Sequence, residues 1–172
     1  MNFDFTFVVD ADPHSEDFED RFIAAGCDDA TFVLLRGVAA ISFDREAQGY
    51  KEAVFSAYKQ ILSTGSSVLR FEPDFLVSAS EIAERSGLSR AAVSLFIKGE
   101  RRDGFPAPYA RINSSSPLWD WVPVSEWLVK NKGLPDEAHR EAVISRIINA
   151  GAQIKQIYPD SDVNIESALQ AA

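Results

Sequence analysis

The chain has 172 residues, 46% of them hydrophobic and 25% charged, and its 26 acidic against 17 basic side chains leave a net charge of −9. That length holds two small domains with real cores, and no apolar run is long enough for a bilayer span. One cysteine, Cys27, and two distant histidines, His14 and His139, provide neither a disulfide framework nor metal-ligand spacing, and no leader pattern is present, so a cytoplasmic protein without a metal is expected.

Residues 2–9, NFDFTFVV, alternate apolar and polar, which predicts a strand with Phe3, Phe5 and Phe7 on one side. The acidic groups Asp10, Asp12, Glu16, Asp17, Glu19 and Asp20 lack calcium-loop spacing and a glycine at the turning point, so they read as a solvated loop and helix start. Residues 17–25 carry Phe18, Phe22 and Ala25 at helical spacing, and Gly26 ends that helix; Cys27 beside it reads as a small buried residue. Residues 30–35 and 38–43 are apolar runs joined at Arg36-Gly37, which predicts a hairpin. A helix follows over residues 50–62, with Ala53, Val54, Ala57, Tyr58 and Ile61 as its stripe, and then a fourth strand over residues 67–71. Strand, helix, strand, strand, helix, strand is the order of the split βαβ, ferredoxin-like unit, with both helices on one sheet face. A first domain over residues 1–75 is expected, suited to dimerisation or sensing, with a boundary at Glu72-Pro73-Asp74.

Residues 78–99, SASEIAERSGLSRAAVSLFIKG, have the layout of a helix-turn-helix. Ser78 and Glu81 stand in capping-box spacing. Ala83 is small where two helices must approach closely, Gly87 allows the left-handed turn, and Leu88 plugs it. Ser89 is a good N-cap for the second helix. There Val93 and Phe96 face the first helix, while Ala91, Ser94, Leu95 and Lys98 share the opposite face, the one suited to meet DNA. Ser86 is polar where such motifs usually place an apolar residue. Residues 106–112 and 118–121 then read as two short strands about a turn at residues 113–116, and a closing helix starts at Pro123 with Trp127 and Leu128 one turn on.

The run EIAERSGLSRAAVS, followed by GFPAPYARI and SPLWDWVPVSEWL, resembles the winged helix-turn-helix domains of MerR-like and excisionase-like DNA-binding proteins over residues 78–132. The resemblance implies a β-hairpin wing after the recognition helix, a further helix closing the domain, and paired half-sites. Ala91 and Leu95 stand where relatives commonly carry longer polar groups, so fewer side chains here read bases; either can touch a thymine methyl. Ser89, Arg90, Ser94 and Lys98 remain as donors, Arg90 being the candidate for a bidentate guanine contact or a phosphate clamp. Arg101, Arg102 and Arg111 are expected on phosphates, whereas Arg85 reads as ordinary surface charge.

Charge is distributed to match. Residues 1–77 carry 6 basic and 14 acidic side chains, residues 78–132 carry 8 and 6, and residues 133–172 carry 3 and 6. A locally positive middle can displace counterions from a duplex that repels the acidic first part.

Residues 133–172 are expected to form a C-terminal helix and tail. Pro135, Asp136 and Glu137 open the helix, Val143, Ile144, Ile147, Ile148, Ile154 and Ile157 form an apolar face interrupted by Gly151, and residues 160–172 should fray. So apolar a face must be buried, either on the N-terminal domain or, the favoured expectation, in a dimer. The whole reads as an α+β protein: a ferredoxin-like βαββαβ domain (1–75), a winged helix-turn-helix (76–132) and a C-terminal helix (133–172). The expected function is that of a homodimeric, sequence-specific regulator of double-stranded DNA, a repressor, reading the major groove with residues 89–98. No nucleophile elbow or glycine-rich phosphate loop is present, so no enzyme and no cofactor are expected. Two alternatives stay open. One is an antitoxin-like protein whose acidic domain docks on a basic protein partner and which represses its own promoter; the other is a regulator gated by a small effector.

Overall fold

The computed structural model describes residues 1–172 apart from the side chain of Leu35, and it is an α+β protein. The elements in chain order are β1 (Asn2–Val9), α1 (Phe18–Ala24), β2 (Ala30–Leu35), β3 (Val38–Glu46), α2 (Tyr50–Ser63), β4 (Val68–Glu72), β5 (Leu76–Val77), α3 (Ala79–Ser86), α4 (Arg90–Ile97), β6 (Trp119–Asp120), α5 (Trp121–Lys132), α6 (Asp136–Ile157) and α7 (Ile165–Ala171). Two compact units divide the chain: residues 1–73 with 147–172, and residues 74–146. No described helix is long and apolar enough to cross a membrane.

In the first unit β1 alternates as its sequence predicts, burying Phe5, Phe7 and Val9. It lies between β3 and β4, antiparallel to both, in a four-stranded sheet of order β2-β3-β1-β4. Phe43 is opposite Phe5, and Phe71 is opposite Phe7 with ring centroids 4.9 Å apart. The helices complete this apolar layer: α2 contributes Ala53, Val54, Ala57, Tyr58 and Ile61, and Phe18 and Phe22 of α1 pack on Phe32 of β2. Arg36 and Gly37, both with positive φ (51° and 85°), make the two-residue turn whose twist suits a hairpin. At the far end of β3, buried Arg45 donates to both Asp29 oxygens (2.7 Å each), to Ser56 Oγ (2.9 Å) and to the Gly26 carbonyl (3.3 Å). One guanidinium thus fastens the α1–β2 connection to β3 and α2.

The C-terminal segment departs from expectation in two ways. Ile144 and Ile148 are buried within their own chain, and Val143 and Ile147 are half-buried, so these four residues of the expected face need no second copy to cover them, whereas Ile154 and Ile157 at the end of α6 are exposed. The tail does not fray: Asn164 caps α7 by accepting from the Ser167 amide, and α7 buries Ile165 and Leu169. Gly151 is what admits it, since a Cβ there would lie 2.7 Å from Ile165 Cδ1. Its place in the apolar face is therefore a close approach between α6 and α7.

The second unit packs α3, α4, α5 and the start of α6 around Val77, Ile82, Val93, Phe96, Trp119, Val124 and Leu128. Its ladder is short, with Leu76 opposite Asp120 and Val77 opposite Trp119. Asp120 also caps α5, accepting from the Val122 amide, so that helix begins at Trp121 and Pro123 lies inside its first turn.

Candidate nucleic-acid interface

Helix α3 starts on a complete capping box: Glu81 N donates to Ser78 Oγ (3.3 Å) and Ser78 N donates to Glu81 Oε2 (2.7 Å). Partial burial works against the Glu81 carboxylate, yet the bonds from Ser78 outweigh it and hold the carboxyl below its ordinary range. Ile82 and Ala83 are buried, and Gly87 ends the helix in the left-handed region (φ 66°). Ser86 fits by donating its hydroxyl to the Ile82 carbonyl (2.6 Å), so its polarity is absorbed inside the helix.

Ser89 caps α4 by accepting from the Ala92 amide (3.1 Å), and Lys98 is the residue after its last turn. Val93 and Phe96 are buried as expected, which turns Arg90, Ala91 and Lys98 to solvent and leaves Ser94 and Leu95 half-exposed. Past Gly99 (φ 70°) the Glu100 and Arg101 amides both donate to the Leu95 carbonyl, so Arg101 and Arg102 follow the C-terminus of α4 closely. That connection is held from below by Phe105, packed on Phe96 and Trp127, and by the Trp127 indole donating to the Asp103 carbonyl (3.2 Å).

One cation of this cluster lies beyond the sequence reading. Lys132, on the last turn of α5, sits over the Phe96 ring (4.7 Å). Its ammonium is lowered from the usual lysine range by desolvation and then by repulsion from Arg101 and Arg102, which marks the three as neighbours. Arg102 also reaches Asn131 Oδ1 (3.5 Å). The sequence signal for Lys132 is only that of a basic residue before a helix-ending glycine.

The wing differs more. Residues 106–112 and 118–121 form no regular two-stranded hairpin; they meet in an isolated bridge between Ala110 and Leu118, and Trp119 and Asp120 pair with β5 instead. Pro106, Pro108 and Pro117 have no amide hydrogen to give a ladder, and Arg111 takes a positive φ (55°) that ends it. Below the bridge Arg146 holds the loop, with Asp120 at 3.0 Å, Tyr109 Oη at 3.2 Å and the Phe75 ring at 4.2 Å. Arg111 is exposed at the loop, and no described contact ties it to Arg101, Arg102 and Lys132. Arg85, read as ordinary surface charge, is half-buried with its guanidinium over the Trp121 ring (5.5 Å).

Among the described residues, none of Arg90, Lys98, Arg101, Arg102 and Arg111 is within ion-pair distance of a carboxylate. Elsewhere, Ser125 and His139 stand 3.0 Å apart, but Ser125 is fully buried and also donates to the Val122 carbonyl, so the pair fastens α5 to α6. Burial pushes the Cys27 thiol up to about 11, which keeps it protonated. Compared with family models, curated proteins and solved structures, the chain matches none.

Proposed function

We propose that this protein is a sequence-specific regulator of double-stranded DNA, a repressor acting as a homodimer, in which α4 enters the major groove. The observation that carries this reading is a set of exposed cations without carboxylate partners on and just after α4, in a chain whose net charge is −9. Arg90 in the first turn has its donors free for a base edge. Ser94 adds a hydroxyl, Ala91 and Leu95 offer apolar contact to a thymine methyl, and Ser89, at the cap, approaches the backbone. Lys98, Arg101, Arg102 and Lys132 then neutralise phosphates, with Arg111 reaching the backbone from the bridged loop in the manner of a wing.

In the same reading the second unit is a winged helix-turn-helix with a reduced wing, akin to the MerR-like and excisionase-like domains. The first is a ferredoxin-like domain; its strand order, β2-β3-β1-β4 with every neighbour antiparallel, supports that. Selection of genomic fragments on the purified protein tests the proposal, with fluorescence anisotropy of the enriched duplex across a salt series. An enriched fragment bound more tightly than random duplex, with a steep salt dependence, is expected. No enrichment, together with no binding of random duplex at low salt, would overturn it.

A further inference from the structure

The two edges of the four-stranded sheet are treated differently, and the backbone accounts for both. In β1–β3, Met1 and Ala47 exchange both of their backbone bonds, so β3 turns residues 39, 41, 43 and 45 toward β1. Its even-numbered residues therefore bond β2, and the Asp44 amide donating to the Asp29 carbonyl agrees. On β4 the same alternation turns Leu69 and Phe71 outward. That edge is closed by α6: Asn149 accepts from the Phe71 amide and donates to its carbonyl (2.9 Å each), and Gln156 donates to the Leu69 carbonyl (2.8 Å). A side-chain amide stands where the next strand would be.

On β2 the alternation turns Ala30, Phe32 and Leu34 outward; the Ala30 amide donates to the Cys27 carbonyl (3.3 Å), while no described residue bonds the Ala30 carbonyl or the amides and carbonyls of Phe32 and Leu34. The strand reads ATFVLL, with no charge and no proline to discourage pairing, and Leu34 is 46% exposed. Exposed charges stand only at its ends, Asp28 and Asp29 before it, the latter paired with Arg45, and Arg36 after it.

We propose that this edge takes a second copy of the same strand, antiparallel across a two-fold axis at Phe32, so that two sheets join into one of eight strands. One register joins the unbonded backbone groups and the end charges together. With Phe32 opposite Phe32 of the second copy, Ala30 is opposite Leu34 and Leu34 opposite Ala30, so that the Phe32 pair exchanges both backbone bonds and each Leu34 amide meets an Ala30 carbonyl, the Ala30 amide staying on Cys27. The large exposed Leu34 meets the small Ala30. In that same register Asp28 faces Arg36 at both ends, placing opposite charges together twice, as an isologous contact requires. A shift of two residues in either direction loses both ion pairs and leaves an outward residue unpaired. This names the contact of the homodimer and rests on that part of the proposed function, not on DNA binding.

The test is run without DNA, so its failure is distinguishable from failure of the DNA reading. Sedimentation over a concentration series, with circular dichroism as the check on folding, compares the wild type with four variants. Leu34→Pro removes an outward amide hydrogen and none from the ladder to β3, and should leave a folded monomer where the wild type is a dimer. Asp28→Arg and Arg36→Asp each replace two attractive end pairs by two repulsive ones and should weaken the dimer roughly tenfold at low salt. The double variant Asp28→Arg/Arg36→Asp should return it to within about threefold of wild type. Hydrogen exchange should protect the Phe32 and Leu34 amides in the dimer alone. A wild type monomeric at high micromolar concentration overturns the proposal, as does a dimer whose Phe32 and Leu34 amides exchange freely. If Leu34→Pro unfolds, the charge series decides, and single reversals without effect reject the contact.

Discussion

Arg45 and Arg90 belong to the two units of one chain and use the same group in opposite ways. The Arg45 guanidinium is buried, with every nitrogen engaged by Asp29, Ser56 or Gly26 and the Phe43 ring 4.7 Å away. Arg90 is exposed in the first turn of α4 and has no carboxylate beside it. The first unit uses its cation to fix a loop on a sheet, whereas the second holds cations out on a scaffold of apolar contacts. Arg101 and Arg102 depend for their positions on Phe96, Phe105 and Trp127 below them. An arginine is a candidate for recognition to the extent that its donors are left over once the fold is complete.

The contrast is broken most severely through the core. Phe7 is fully buried among Phe5, Phe43, Tyr58 and Phe71, so Phe7→Ala should cost about 3–5 kcal/mol in a denaturant titration. A loss below about 1 kcal/mol would show that the sheet layer is not the core of its unit. Arg45→Met comes next, at about 3 kcal/mol, because it leaves Asp29 beside a buried site without its partner. Part of that loss should be recovered in Arg45→Met/Asp29→Asn, and a single variant as stable as the wild type would show that the Arg45 bonds add nothing net to stability.

Arg90→Ala should do the reverse, with an unchanged denaturation midpoint and about 1–3 kcal/mol lost from specific DNA binding. Wild-type affinity in that variant would mean that α4 does not meet base edges. Arg101→Ala, Arg102→Ala and Lys132→Ala should each weaken binding to all duplexes alike and flatten the log–log salt slope by roughly 0.9. Unchanged slopes in all three would make them plain surface charge.

The smallest effect concerns the capping box. A carboxyl held below its unfolded value contributes stability that is present above the unfolded range and is lost as pH falls through the folded value. Ser78→Ala should therefore cost about 1 kcal/mol near neutral pH and less in acid, where Glu81 is protonated in either protein. Midpoints against pH for the two proteins would converge at low pH, and parallel curves would separate the cap from the titration.

How much was legible in the chain follows the range of each physical signal. Alternation of phenylalanines located β1, because a strand's inward side is set by every second residue. Ser78, Glu81, Gly87 and Ser89 located both ends of the helix pair, because caps and left-handed turns act within four residues. The Arg36-Gly37 turn and the stripe of α2 were equally local. The wing was overread because apolar alternation ignores amides, and Pro106, Pro108 and Pro117 have none to donate.

By itself, then, the sequence determined the elements of the first sheet, the inward side of β1, α2 and the helix pair α3–α4, and the basic character of residues 78–132, all consequences of neighbours within a turn or two, whereas β5, the reduced wing and α7 were not legible in it. Tertiary structure alone decided that Lys132 joins Arg101 and Arg102, that Ile144 and Ile148 are buried in their own chain, and that Gly151 admits Ile165. It also decided that Asn149 closes one edge of the sheet while β2 leaves the other open. Each of these depends on which distant segments meet, and a residue's spacing to its neighbours holds no record of the partner that folding brings beside it.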